Sequence, residues 1–161
     1  LWTSSTRRIP HQTLRRDVKW SFYLPNVQLI KEARQHNADD ALMLDGLGNI
    51  SETATANVFF FINDELVTPP DSADALTGIT QAGVIKAAET GGFAVKRKAV
   101  TPAEARTAEA GFITNSMRGI SPIAAIDDHA LSVNHDGLRR VMQLFETHNQ
   151  ASARPLGTYQ Q

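Results

Sequence analysis

The most constraining feature of the sequence is a continuous apolar run, Val58 to Ile62, that follows Asn57 and contains three successive phenylalanines. A strand with one solvated face alternates polar and apolar residues, and this run does not alternate. We therefore predict a strand over 57–62 that is buried on both faces. Asn63-Asp64 predicts a hairpin turn after it, and Leu66 to Thr68 predicts the return strand, which Pro69-Pro70 ends.

Helices and further strands alternate irregularly along the rest of the chain. Periodic apolar residues and capping signals predict helices over about 25–36, from Gly78-Ile79-Thr80 to Gly91, over 101–108 and from Asp136 onward. The other predicted strands are 41–45, 50–53, 93–100, 111–114 and 123–126. Because strict β-α-β alternation is missing, we predict the α+β (irregular α/β) class, rich in strands, with about four helices. We expect one domain over 1–150 and a loose tail over 151–161.

Composition excludes several kinds of site. The 161 residues contain no cysteine, which excludes disulfides, thiolate zinc sites, iron–sulfur clusters and a cysteine nucleophile. Sixteen basic and 17 acidic residues give a net charge of −1, which argues against nucleic-acid binding. The histidines show no metal-type spacing, so we predict no metal site. No apolar run approaches the ~20 residues that span a bilayer, and no signal peptide opens the chain, so we expect a cytoplasmic protein without membrane contact.

The first nineteen residues are strongly basic. They contain Arg7, Arg8, Arg15, Arg16 and Lys19 against one acid, Asp17. Two interpretations remain open: the cluster steers an anionic cofactor or substrate, or it is the solvated edge of a strand. The chain begins at Leu1 without a methionine, and we expect it to be a fragment of a longer protein.

Three polar segments lie beside predicted strands and helices. Gly78-Ile79-Thr80 begins a predicted helix, where free backbone N–H groups and the helix dipole favour a phosphate. Thr114-Asn115-Ser116 places three small polar side chains after a strand, and Glu52 precedes the apolar run. Taken one at a time, these segments also fit an ordinary helix cap, a strand-end turn and an exposed acid.

Four stretches in this order resemble the C-terminal, cofactor-binding domain of the fold-type IV pyridoxal-phosphate enzymes. That family contains branched-chain aminotransferases, D-amino-acid aminotransferases and aminodeoxychorismate lyases. The stretches are Asp17-Val18-Lys19, the segment 45–59 with Glu52, the segment Leu76-Thr77-Gly78-Ile79-Thr80, and the segments Phe112 to Ser116 and Ile120 to Ile123. The resemblance runs from about Asp17 to Asp128 and implies the large domain of the D-amino-acid aminotransferase-like fold.

The resemblance also implies a role for each site residue. Lys19 would form the Schiff base with the aldehyde of pyridoxal 5'-phosphate and later carry a proton as a free amine. Glu52 would face the pyridine nitrogen, and Tyr23 would reach the phenolic oxygen of the cofactor. The remaining cofactor-binding residues would be Leu76 against the ring and Gly78, Ile79, Thr80, Asn115 and Ser116 around the phosphate.

The implied activity is amino-group transfer between an amino acid and a 2-oxo acid, of the branched-chain or D-amino-acid type. The alternative is an aminodeoxychorismate lyase, because Thr114-Asn115-Ser116 is nearer to the lyase members. A further alternative is a catalytically incomplete fragment, since the smaller N-terminal domain of the family does not precede Lys19 here. Gln81 also departs from the family, which commonly has arginine after Gly-Ile-Thr. Members share their site across a dimer, so the resemblance implies a homodimer.

Overall fold

The structure is a computed structural model that describes residues 1–10, 12–13 and 15–152. In that part of the chain, the strands are β1 (Trp2–Arg7), β2 (Ala41–Leu44), β3 (Ile50–Thr53), β4 (Asn57–Ile62), β5 (Glu65–Thr68), β6 (Val95–Arg97), β7 (Ala110–Asn115), β8 (Gly119–Pro122), β9 (Ala125–Ile126) and β10 (His129–Ala130). The α-helices are α1 (Leu24–Gln35), α2 (Ile79–Thr90), α3 (Pro102–Arg106) and α4 (Asp136–Ser152), and a single 3-10 turn covers Asp71–Ala73. The predicted α+β class with four helices is confirmed.

The apolar run forms β4, the central strand of a five-stranded sheet with the order β6-β5-β4-β7-β8. Its side chains point alternately to two cores, as the period of a strand requires. Val58 and Phe60 pack on one side with residues of α3 and β9, whereas Phe59 and Phe61 pack on the other side with α2 and α4. The prediction of a strand buried on both faces is confirmed.

A second sheet has the order β1-β2-β3, with β1 parallel to β2 and β2 antiparallel to β3. Helix α1 covers it through Leu29 and Ala33, which pack against Met43 and Ala54. The short connection 54–56 leads from β3 directly into β4. Glu52 near the end of one sheet is therefore only five residues from Asn57 at the start of the other.

Several predicted bounds differ from the structure. Of the predicted strand 93–100, only β6 forms a strand. It is the edge strand of the five-stranded sheet, and its polar residues are exposed there. Helix α3 ends two residues before Ala108, and β8 was not predicted, since its burial is only partial. Asn63 and Asp64 both have positive φ, 53° and 60°, which confirms the hairpin turn.

The far end of the chain is described only in part. Helix α4 continues to Ser152, beyond the predicted start of the tail at 151, and residues 153–161 of that tail lie outside the described residues. No helix in the described part of the chain combines the length and the apolar character that crossing a bilayer would require.

Candidate active site

A cavity of about 690 Å³ opens where the two sheets meet, between the segment that precedes α1 and the first turn of α2. Every residue predicted for the site lines this cavity: Lys19, Tyr23, Glu52, Leu76, Gly78, Ile79, Thr80, Asn115 and Ser116. The four stretches are far apart in sequence, yet the fold brings them to one place. Their predicted roles toward a cofactor stay predictions.

Lys19 lies on the irregular segment between β1 and α1, and its side chain is exposed. Its Nζ donates a hydrogen bond of 3.0 Å to Oη of Tyr23, which is the N-cap residue of α1. Pro25 follows in the first turn of that helix, where its missing N–H costs nothing. The start of α1 therefore fixes the phenol that holds the amine.

Glu52 is buried on β3, with 6% of its surface exposed. Its Oε1 lies 3.0 Å from Nε of Arg8, and its Oε2 accepts a 3.0 Å hydrogen bond from the backbone N–H of Leu76. Burial raises the pKa of the Glu52 carboxyl to about 7, although Arg8, the Leu76 N–H and Lys19 each act to lower it. A cationic partner beside this carboxyl would favour its charged form.

Helix α2 begins at Ile79 and points its N-terminus at the cavity. Its N-cap residue is Gly78, and no side chain caps the helix. The first N–H groups of a helix have no acceptor within it, and they lie at the positive end of the helix dipole. The hydroxyl of Thr80 lies in the same turn, so the site offers both N–H and O–H donors to an anion.

The turn after β7 closes the opposite side of the cavity. Oδ1 of Asn115 accepts hydrogen bonds from the backbone N–H groups of Met117 (3.1 Å) and Arg118 (2.9 Å), so this side chain shapes the turn. Ser116 is exposed at the cavity, and Thr114 precedes the pair. The Thr114 hydroxyl is buried without a hydrogen-bond partner among the described residues, as are those of Thr3 and Ser51, but of the three only Thr114 lines the cavity.

The basic cluster divides between the cavity and the surface. Arg7 and Arg8 line the cavity, and the Arg8 guanidinium also donates to the backbone carbonyl of Asp74 at 3.2 Å. Arg15 instead pairs with Asp17 at 2.6 Å, and Arg16 pairs with Asp71 at 3.1 Å. Arg8 could not be identified from the sequence as the partner of Glu52, because nothing in a run of cations distinguishes one of them.

Asn57 was given no site role in the sequence analysis, and Thr114 was noted only as part of the polar segment Thr114-Asn115-Ser116, although both carried a signal of their own. Each is a polar residue in an otherwise apolar strand that is buried on both faces, so each needs a specific partner. The strands place them side by side, since Asn57 pairs with Thr114 in the β4–β7 register.

The donor set fits a phosphorylated aromatic aldehyde. An amine, a buried carboxyl and an uncapped helix N-terminus with an orphaned hydroxyl nearby surround one cavity. Within residues 1–10, 12–13 and 15–152, no three His, Asp or Glu side chains are arranged to hold a metal ion.

Comparison with known proteins identifies the family. The model of the family described as "Amino-transferase class IV" matches residues 1–126. The chain belongs to the class IV aminotransferase family. The resemblance found in the sequence is thereby confirmed, and so is the fold.

A curated relative and a solved structure illustrate the similarity. Branched-chain-amino-acid aminotransferase-like protein 2 of Arabidopsis thaliana is 31% identical over 164 residues, which cover 100% of this chain and 29% of the relative. A crystal structure of an aminotransferase from Brucella abortus bound to the co-factor PLP is 31% identical, with a TM-score of 0.86, and the match covers 94% of this chain and 54% of that one.

A third similar protein bears on the lyase alternative. A structure from Legionella pneumophila described as a candidate 4-amino-4-deoxychorismate lyase is 28% identical with a TM-score of 0.85, over 91% of this chain and 55% of that one. The chain spans less than half the length of the first curated relatives that it matches.

Proposed function

We propose that this chain is the cofactor-binding part of a pyridoxal-phosphate-dependent aminotransferase of the branched-chain or D-amino-acid type. It would transfer an amino group between an amino acid and a 2-oxo acid. The observation that carries the proposal is the single cavity that joins Lys19, Glu52 and the N-terminus of α2. Family membership and the relatives named as aminotransferases support the same conclusion.

Residues from several segments of this chain would hold pyridoxal 5'-phosphate. Ile79 and Thr80 would donate to the phosphate from the N-terminus of α2, and Asn115 and Ser116 would close its other side, with the Thr114 hydroxyl on the adjoining end of β7 as a further donor. Leu76 lies between the helix and Glu52, where its side chain can pack against the ring. When bound, the cofactor supplies an electron-accepting ring that stabilises negative charge on the α-carbon of the amino acid.

Glu52 would hold a proton on the ring nitrogen. Arg8 and the Leu76 N–H occupy its two carboxyl oxygens from the protein side, which fixes the plane of the carboxyl group. Because burial raises the pKa of the Glu52 carboxyl to about 7 even with Arg8 beside it, a second cationic group, the protonated ring nitrogen, would further favour the carboxylate. The pair would therefore keep the proton on the ring.

Lys19 would attach the cofactor and move protons. Its amine reacts as a nucleophile only when neutral, and the hydrogen bond to Tyr23 holds Nζ at the cavity. Once the substrate amine has displaced it, the free Lys19 amine would carry a proton between the α-carbon of the substrate and the former aldehyde carbon of the cofactor.

We also propose a homodimer and an amino acid with a 2-oxo acid as the substrates. The support for a dimer is a run of exposed apolar side chains beside the cavity: Val18, Trp20, Phe22, Leu24 and Val27. Apolar groups concentrated on one surface are typical of an interface with another protein. Light scattering over a concentration series would test this, and a monomer at every concentration would contradict it.

The activity is tested by a half-reaction. The chain loaded with pyridoxal phosphate is mixed with single amino acids of either hand, and the bound cofactor is analysed by chromatography. Conversion of the aldehyde to pyridoxamine phosphate supports the aminotransferase, with Lys19→Ala inactive and Lys31→Ala, on the exposed face of α1, unaffected. Pyruvate release from aminodeoxychorismate with the aldehyde unchanged would support the lyase instead. If neither pyridoxamine phosphate nor pyruvate is formed, both proposed activities are contradicted.

A further inference from the structure

Asn57 has an unusual position for a polar residue. It is the first residue of β4, only 6% exposed, and its Nδ2 donates a 2.8 Å hydrogen bond to the backbone carbonyl of Leu76. The backbone N–H of the same Leu76 donates to Oε2 of Glu52 at 3.0 Å. Both backbone polar groups of Leu76 are thus held, one by each of two side chains from neighbouring strands.

The other end of the Asn57 amide touches the start of α2. A Cβ placed on Gly78 would lie 2.0 Å from Oδ1 of Asn57 and 3.2 Å from its Cγ. Gly78 has φ −77°, a conformation open to any residue, so its backbone geometry does not require glycine. The close approach to Asn57 requires it.

Asn57 therefore connects the segment that leads into α2 with strand β7. It contacts the Leu76–Gly78 segment through its side chain, and its strand pairs it with Thr114 near the end of β7, just before the turn that begins at Ser116. Its neighbour five residues earlier is Glu52, across the 54–56 connection. No other side chain in the described part of the cavity is hydrogen-bonded to the Leu76 carbonyl.

We propose that Asn57 is a positioning residue that sets the distance between the Glu52 carboxyl and the N-terminus of α2. A rigid ligand with an aromatic nitrogen at one end and a phosphate at the other can meet both anchors only at one separation. The second anchor then acts at high effective concentration, and this gain is lost when the separation is wrong. The inference rests on the proposed function, because it concerns how this site holds its phosphorylated ring.

The test compares two ligands that differ only in the phosphate. Dissociation constants of pyridoxal 5'-phosphate and of pyridoxal are measured for the full chain and for Asn57→Ala, and their ratio reports the advantage given by the phosphate. We expect Asn57→Ala to reduce this ratio roughly tenfold or more, since loss of registration weakens mainly the doubly anchored ligand. Val67→Ala is the matched control, because Val67 is buried in the same sheet but does not line the cavity.

Gly78→Ala acts on the same contact from the other side and serves if Asn57→Ala folds poorly. It should also reduce the ratio, and adding Asn57→Ala to it should cause little further loss, because the atom that the new methyl group would meet is then gone.

An unchanged ratio in both Asn57→Ala and Gly78→Ala would overturn the inference, as would an equal loss in Val67→Ala. If the unaltered chain binds pyridoxal phosphate no more tightly than pyridoxal, the proposed function fails and the inference fails with it. A large ratio in the unaltered chain that survives both substitutions overturns the inference alone.

Discussion

The two halves of the site are built in different ways. The half that contains Glu52 belongs to strands, and residues 50–57 are buried except for Thr55. The half that contains Lys19 is a segment without helix or strand, and residues 17–23 are all exposed. The acid and helix α2 are therefore held by the protein core, whereas the amine depends on a few local hydrogen bonds such as those of Tyr23 and Trp20.

This difference indicates which half is formed before a ligand binds. Buried strands open only at a large cost in free energy, whereas exposed segments without regular structure change conformation at a small cost in free energy. We infer that the half with Glu52, the acid half, is already formed before a ring and its phosphate bind. The half with Lys19, the amine half, would gain its final position from the ligand and from the second copy of the chain proposed above. Substitutions in the acid half should then change both stability and ligand binding, whereas substitutions in the amine half should change ligand binding with little effect on stability.

Asp40 gives the largest expected effect, because it anchors the acid half. This buried carboxylate accepts hydrogen bonds from the hydroxyls of Thr53 (2.8 Å) and Thr55 (2.6 Å) and from the N–H groups of Ala41 and Ala54. Asp40→Ala removes four hydrogen bonds to a buried carboxylate and should lower the free energy of unfolding by roughly 3–5 kcal/mol, because hydrogen bonds to a charged group are the stronger ones. Denaturant unfolding measures this, with Asp39→Ala as the exposed control; a loss equal to that of Asp39→Ala would contradict the comparison.

Glu52 should make the stability of the ligand-free chain depend on pH. Its pKa is about 7 in the folded chain, above the ordinary 4.5, so the folded chain keeps a proton that the unfolded chain releases in this window. The free energy of unfolding should therefore fall as the pH rises from 4.5 to 7, by at most roughly 3 kcal/mol. Urea unfolding of the chain and of Glu52→Gln at several pH values isolates this slope, and a stability difference independent of pH would argue against it.

Thr114→Val should separate binding from folding. The Thr114 hydroxyl is buried without a partner, so an apolar group of the same shape should leave the unfolding free energy unchanged or raise it by up to about 1 kcal/mol. Affinity for pyridoxal phosphate should fall about fivefold, since one donor is lost. Calorimetry with both ligands checks this; a large loss of stability would show that the hydroxyl serves the fold.

Lys19→Ala gives the smallest expected effect on stability. The side chain is exposed, and its one hydrogen bond among the described residues is to Tyr23, so the unfolding free energy should change by less than about 0.5 kcal/mol. Thermal unfolding with and without pyridoxal phosphate measures it. The stabilisation that the ligand gives to the unaltered chain should be strongly reduced in the variant, and equal stabilisation in both would contradict a role for Lys19.

Much of this organisation could be predicted from the sequence. The run 57–62 forms the predicted buried strand, and residues from all four stretches found by resemblance line one cavity. The partners of the buried polar groups could not be predicted in the same way, because they come from distant segments: Arg8 reaches Glu52 only after β1 joins the sheet, and Asn57 reaches Leu76 across 19 residues. Strand β8 was missed because half-exposed residues with glycine and proline carry little periodic signal.

The most direct test of the central claim is the location of covalent attachment. The chain is incubated with pyridoxal 5'-phosphate, reduced with borohydride and digested, and the modified peptide is identified by mass spectrometry. We predict a single phosphopyridoxyl group on Lys19, at one per chain, which disappears in Lys19→Ala and persists in Lys31→Ala. Modification spread over surface lysines, with the same yield in Lys19→Ala, would contradict the account.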